Sequence, residues 1–177
     1  MILTIEQAKT AVPELAERTD DEVSALLDAL EILVRKYTNN NFQNRNIRFT
    51  AASEGSTLTG TPTDYFSAGD TIQISQSAVN DGLYVVTSVT DGTITVDGDL
   101  FAVEKNLVTK VEYPPAIRQG VINLLSWEAT QRDKVGIQSE TLSRHSVTYA
   151  DMTGTNQVLG YPISLMGFLD LYKKARF

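Results

Sequence analysis

The chain has 177 residues, of which 42% are hydrophobic and 21% charged, and its net charge is −7. That suits one domain, or one domain with a smaller insert, built on an ordinary hydrophobic core. It contains no cysteine, which excludes disulfides and any thiol or cysteine–metal chemistry.

No run approaches the roughly 20 apolar residues of a membrane span. Met1 to Thr10 has neither the basic region nor the apolar run of a secretory signal. The charge is unevenly spread. Residues 1–45 hold 5 basic and 8 acidic side chains, net −3; residues 46–113 hold 3 and 9, net −6; residues 114–177 hold 7 and 5, net +2. A middle third this acidic repels a phosphate backbone, which argues against tight nucleic-acid binding but not against letting DNA slide past.

The first third reads as helical. Thr4 can cap a short helix, with Glu6 and Gln7 in its first turn, that ends near Pro13. Thr19-Asp20-Asp21-Glu22 supplies cap formers and first-turn acids for a second helix. Val23, Leu26, Leu27, Leu30, Leu33, Val34 and Tyr37 then follow at helical spacing, and Asn39-Asn40-Asn41 breaks the run.

From Ile47 to Tyr113 the period changes to that of strands. Ile72 and Ile74 alternate with polar neighbours, and Asn80-Asp81-Gly82, Asp91-Gly92 and Asp97-Gly98-Asp99 read as three turns. Between them lie the apolar run Leu83–Val86, then Val89, then Ile94 and Val96; Leu107, Thr109, Val111 and Tyr113 form a last alternating run. The Ser/Thr-rich stretch Glu54–Thr63 reads as a long connection between strands.

The last third returns to helix. Pro115 fits a first helical turn, and Ile117, Val121, Leu124 and Leu125 give a buried stripe edged by Trp127. The helix fades around Gln131–Gly136, and Ile137 to Met152 reads as an extended segment or hairpin. Tyr161-Pro162 opens a final helix with Leu165, Phe168, Leu169 and Tyr172 on one face, closed by Lys173, Lys174 and Arg176. The expected class is therefore α+β: a small helical bundle, residues 1–45 and 114–177, interrupted by an inserted antiparallel β domain, residues 46–113, forming a small barrel or sandwich.

Few residues suggest chemistry. His145, the single histidine, could act as a general base with Asp151 or a serine, but no motif fixes a nucleophile beside it, and a surface or interface histidine is the plainer reading. Asp81, Asp91, Asp97 and Asp99 are read as turn formers rather than calcium ligands, since Asp97-Gly98-Asp99 lacks the length and closing Glu of a calcium loop. The glycines make neither a phosphate loop nor a dinucleotide fingerprint. No catalytic residue, cofactor or metal is expected.

Three stretches carry a resemblance. The first is Thr4-Ile5-Glu6-Gln7-Ala8-Lys9 followed by Thr19-Asp20-Asp21-Glu22 and the helix to Tyr37-Thr38-Asn39; the second is Tyr113-Pro114-Pro115-Ala116-Ile117-Arg118-Gln119-Gly120-Val121; the third is Gly136-Ile137-Gln138-Ser139-Glu140-Thr141-Leu142 running to Ser146-Val147-Thr148-Tyr149. Together they resemble the head–tail connector (adaptor, or head-completion) proteins of long-tailed bacteriophages, over about residues 1–45 and 114–177. Residues 46–113 depart from the minimal form of that family and resemble small β domains of some phage neck proteins.

The resemblance implies a structural virion protein of the neck, made in the bacterial host cytoplasm. It implies a ring of about a dozen copies beneath the portal protein, above a stopper or tail-completion protein, with double-stranded DNA passing non-specifically through the channel. In the family the arm and last helix make portal and inter-subunit contacts. Carried over, these are Ile137, Ser139, Leu142, His145, Val147 and Tyr149 on the arm, and Tyr161, Leu165, Phe168, Tyr172, Lys173, Lys174, Arg176 and Phe177 on the last helix. Two other readings stay open: a carbohydrate- or protein-binding module using Tyr65, Phe66 and Tyr84 of the β domain, and a hydrolase using His145.

Overall fold

A computed structural model describes residues 1–132, 139–142, 145–148 and 155–175. The fold is mixed α+β, with helices and an antiparallel four-stranded sheet. It divides into two compact units: a helical unit of Ile2–Asn39 and Pro114–Phe177, and a β unit of Met1 and Asn40–Tyr113.

In the helical unit, α1 (Ile5–Ala11) starts at a capping box. The Gln7 N–H donates to Thr4 Oγ1 at 3.2 Å, and the Thr4 N–H donates to Gln7 Oε1 at 3.1 Å. The same device opens α2 (Asp20–Thr38), where Thr19 and Glu22 satisfy each other's backbone N–H. These bonds hold the Glu22 carboxyl below the usual carboxylate range. Asn39, with φ 50°, ends α2 in the left-handed conformation that asparagine tolerates. The face that α2 buries is narrower than the sequence stripe: Val23, Leu27, Leu30 and Val34 are buried, whereas Leu26, Leu33 and Tyr37 are half-buried.

α3 (Pro115–Thr130) has Pro115 in its first turn and buries Ile117, Gly120, Val121, Leu124 and Leu125. It packs on α1 and on the terminal segment, which also meets α2. The expected continuous final helix is not there. Only one α turn forms, α4 (Ile163–Met166), and it tightens into a 3₁₀ turn over Gly167–Tyr172. Tyr161, Met166 and Leu169 are buried; Leu165, Phe168 and Tyr172 are half-buried. The tighter winding brings residues three apart onto one side, so Met166 and Leu169 take the inner face.

Between α3 and α4, β5 (Ser139–Leu142) and β6 (His145–Thr148) pair as an antiparallel hairpin, with Ser139 opposite Thr148 and Leu142 opposite His145. A second short pair joins β7 (Gln157–Val158) to β8 (Tyr161–Pro162).

The β unit begins earlier than residue 46. β1 runs Gln43–Thr59, β2 Thr71–Ser75, β3 Gly82–Thr90 and β4 Thr93–Val111. β1 lies along the whole of β4, β4 also pairs with β2 and β3, and β2 pairs with β3. The β2–β3–β4 pairings therefore close on themselves, which is the barrel alternative rather than two stacked sheets. The core inside is built from Leu58, Phe66, Ile72, Ile74, Val86, Ile94, Val96, Leu100 and Val108, with Ala51. Gln43 stands opposite Val111, and the Glu112 N–H donates to the Phe42 carbonyl at 2.9 Å, so the chain enters and leaves the β unit side by side.

Two expected loops are strand. Glu54–Thr59 continues β1, and Asp97-Gly98-Asp99 lies inside β4. Both strands bend instead of turning: Gly55 takes φ +57°, and the β1–β4 register shifts on either side of it. At the β3 bulge, Asp97 Oδ1 accepts the Val85 N–H at 2.9 Å, a side chain standing in for a ladder carbonyl. In the last run Thr109, Val111 and Tyr113 are buried as the alternation expects, Leu107 is half-buried, and Val108 on the other face enters the hydrophobic β core.

Candidate assembly surface

At the end of α3 the guanidinium of Arg132 is held by several neighbours. Nε donates to Glu128 Oε1 at 2.8 Å, Nη2 lies 2.7 Å from Glu128 Oε2, and Nη1 donates to the Gly160 carbonyl at 3.0 Å. Its Cζ sits over the rings of Trp127 and Tyr161, 4.9 Å from each centroid, and those rings lie 5.3 Å apart. The chain before residue 133 and the chain after residue 159 are thus tied at one point. Burial pushes the Tyr161 phenol up to about 12; the Glu128 carboxylate adds to the shift, and Arg132 opposes it in part.

The terminal segment is pinned to the end of α2. Asn39 Nδ2 donates to the Ala175 carbonyl at 3.0 Å, and the Lys174 N–H donates to the Thr38 carbonyl at 2.8 Å. Lys173 Nζ sits 4.1 Å from the centroid of the Tyr37 ring and 2.7 Å from Asp170 Oδ1. Asp170 is held below its ordinary value by Lys173, and Lys173 above its own by Asp170 and Tyr37. Between these anchors Leu171 is 88% exposed, and Leu159 and Ile163 also face solvent.

The contact residues expected from sequence are therefore of three kinds. Tyr161 is buried in its own unit, so its ring offers little surface to another molecule, whereas Leu165, Phe168 and Tyr172 are half-buried, and Lys173 and Lys174 exposed. Ser139, Leu142, His145 and Val147 are placed by backbone register alone, on the β5–β6 hairpin. Ile137, Tyr149, Arg176 and Phe177 lie outside the described residues, as does Asp151, the acid considered for His145.

In the β unit the turn expected at Asn80 lies in the β2–β3 connection, and a buried polar cluster is built on it. Asn80 Nδ2 donates to the Phe101 carbonyl at 2.9 Å and to Ser53 Oγ at 3.0 Å, and Asn80 Oδ1 accepts the Phe101 N–H at 2.9 Å. Asn106 Nδ2 donates to Ser53 Oγ at 2.9 Å and to the Ala51 carbonyl at 3.2 Å. These bonds satisfy backbone groups where β1 and β4 lose register. Of the aromatics considered for a shallow ligand site, Phe66 is in the core, Tyr84 packs over Gly82 and Gly98, and only Tyr65 is exposed.

Asp81 accepts the Ser77 N–H at 2.8 Å, so this carboxylate, like that of Asp97, serves the backbone. No group of three or more His, Asp or Glu side chains that could hold a metal occurs among the described residues. No helix among them is long and apolar enough to cross a membrane. An open depression of about 530 Å³ is lined by Ile5, Glu6, Lys9, Thr10 and Asp20, and its lysine is taken up by the Arg18 carbonyl and Asp20.

Sequence reading singled out neither Arg132 nor the buried side of Asn80. The Glu128/Arg132 spacing of four on a helix was a usable signal; for Asn80, whose partners lie 21 to 27 residues away, none existed. No protein-family model matches this chain, and no curated protein matches it.

Proposed function

We propose that this chain is a structural, non-catalytic component of a bacteriophage neck. It forms a ring beneath the portal, joins the DNA-filled head to the tail, and lets double-stranded DNA pass. One observation carries the reading. The terminal segment is anchored to its own unit by Tyr161, Met166 and Leu169, yet leaves Leu159, Ile163 and Leu171 exposed, with Lys173 and Lys174 following Leu171 in sequence.

Several exposed aliphatic side chains on one short, anchored segment suit a surface that a partner covers. Ile163 and Leu171 lie on the stretch, Tyr161 to Phe177, to which the resemblance assigns portal and inter-subunit contacts. The net charge of −7 supports a channel role, because a wall that bound phosphates tightly would stall DNA movement.

The test is co-assembly with the cognate portal ring. Mixing the two should give a portal with added density below it in negative-stain images. Ile163→Asp, an exposed position on the same segment, should remove that density. Retention of full binding by that variant, or failure of the unaltered chain to bind portal, would end the proposal.

A further inference from the structure

The loop joining β2 to β3 is built at a conformational cost. Gln76 (φ 61°) and Ala78 (φ 67°) both adopt the left-handed backbone that non-glycine residues avoid. The loop is nevertheless held firmly. The Ser77 N–H donates to Asp81 Oδ1, the Asn80 N–H donates to Ser77 Oγ at 3.3 Å, and the Tyr84 hydroxyl donates to the Asn80 carbonyl at 3.1 Å. The side-chain amide of Asn80, 1% exposed, clasps both backbone groups of Phe101.

The outcome of that clamp is a surface. Val79, next to Asn80, is 55% exposed; Phe101, paired with Asn80, is 68% exposed; and Leu83, three residues on, is also exposed. Asp81, Asp97, Asp99 and Glu104 stand exposed on the same elements, with Lys105 as the local cation. A strained loop fixed by buried hydrogen bonds, whose visible product is apolar side chains with an acidic rim, has the composition of a protein-docking patch.

We infer that this end of the β unit docks onto the terminal segment of a second copy of the chain. Charge complementarity selects that occupant. The segment presents Leu171 beside Lys174 and the Lys173–Asp170 pair, an apolar knob whose neighbours carry a net positive charge, against Val79, Leu83 and Phe101 with acidic ones. Two different patches meeting in this way make a head-to-tail interface, the kind that propagates around a ring. The inference rests on the ring reading above and names the surfaces that would join neighbouring copies.

The natural absence of cysteine allows a clean test. Chains carrying Phe101→Cys and chains carrying Leu171→Cys, both at exposed positions, are mixed and treated with a short bis-maleimide. A Ser88→Cys chain replaces the Phe101→Cys chain as the control at another exposed site of the β unit. The 101–171 dimer should form in roughly tenfold excess over the control pair and over 101–101 and 171–171 dimers. In sedimentation at high concentration, Phe101→Asp and Leu171→Asp should each fail to self-associate, while their mixture stops at a one-to-one dimer. A dominant 101–101 product, or yields equal to the control, overturns the inference. Portal co-assembly is scored separately, so portal binding without the 101–171 product condemns this interface alone, and the 101–171 product without portal binding condemns the neck reading alone.

Discussion

Gly120 of α3 lies directly under the ring of Phe168: a Cβ built on Gly120 would stand 2.3 Å from the ring carbons. The glycine is what lets the terminal 3₁₀ turn approach the helix. Alanine would favour the helix by about 1 kcal/mol on propensity, but the ring has to move, and overpacking of this sort costs about 1–3 kcal/mol. Gly120→Ala should therefore be destabilising in urea titration. Adding Phe168→Leu should recover part of the loss; a double variant that sums the two single effects would refute the contact.

Arg132 should not be replaceable by lysine. Arg132→Lys keeps the charge but loses the Nε bond to Glu128 Oε1 with its second ion contact to Oε2, the bond to the Gly160 carbonyl, and the guanidinium contact with the Trp127 and Tyr161 rings. A loss of about 1–2 kcal/mol is expected for this half-exposed side chain. Amide exchange at Gly160 should quicken in the variant, and unchanged exchange would show that Arg132 does not fix the end of the segment.

Tyr161 gives the helical unit an alkaline signature. Its phenol is raised from the ordinary 10.0 to about 12, so the folded state holds the proton more tightly than the unfolded chain. The resulting stability is complete below pH 10 and is lost as pH rises through about 12. Tyr161→Phe lacks this loss. Melting temperatures compared between pH 8 and pH 12 should fall more steeply for the natural chain; parallel curves would mean that Tyr161 is not the titrating group.

Asn80 should behave as a core residue despite its turn-like sequence. Asn80→Ala leaves the Phe101 N–H and two buried side chains short of partners, at about 2–3 kcal/mol. Asn80→Asp should be no better, because it buries a carboxylate against the Phe101 carbonyl. A denaturation midpoint within error of the natural chain for either variant would contradict the network.

Ala78→Gly should go the other way. The left-handed backbone at Ala78 costs an alanine about 1 kcal/mol that glycine does not incur. Chemical denaturation should show a small gain, or at least no loss, for an exposed loop substitution that removes a single methyl. A clear destabilisation would mean that the φ of 67° is not the strained feature.

Local rules made the helices legible. Thr4 and Thr19 announce the capping boxes, and the spacing of Val23, Leu27, Leu30 and Val34 marks the inner face of α2. The bent strands were not legible, because Gly55 and Asp97-Gly98-Asp99 have the composition of turns, and only pairing with a distant partner shows that the ladder continues through them. The last helix was overextended because Leu165, Phe168, Leu169 and Tyr172 fit a helical period that the close packing on α3 does not allow.

The sequence by itself determined what depends on neighbours within a turn or two: helix starts, the change from a period of 3.6 to a period of 2, and the lack of any thiol chemistry. The tertiary structure alone decided which polar residues are buried and which apolar ones are not. Asn80 and Phe101 exchange the places that their chemistry would assign, because the amide satisfies backbone bonds made far away in the chain and the ring is left outside.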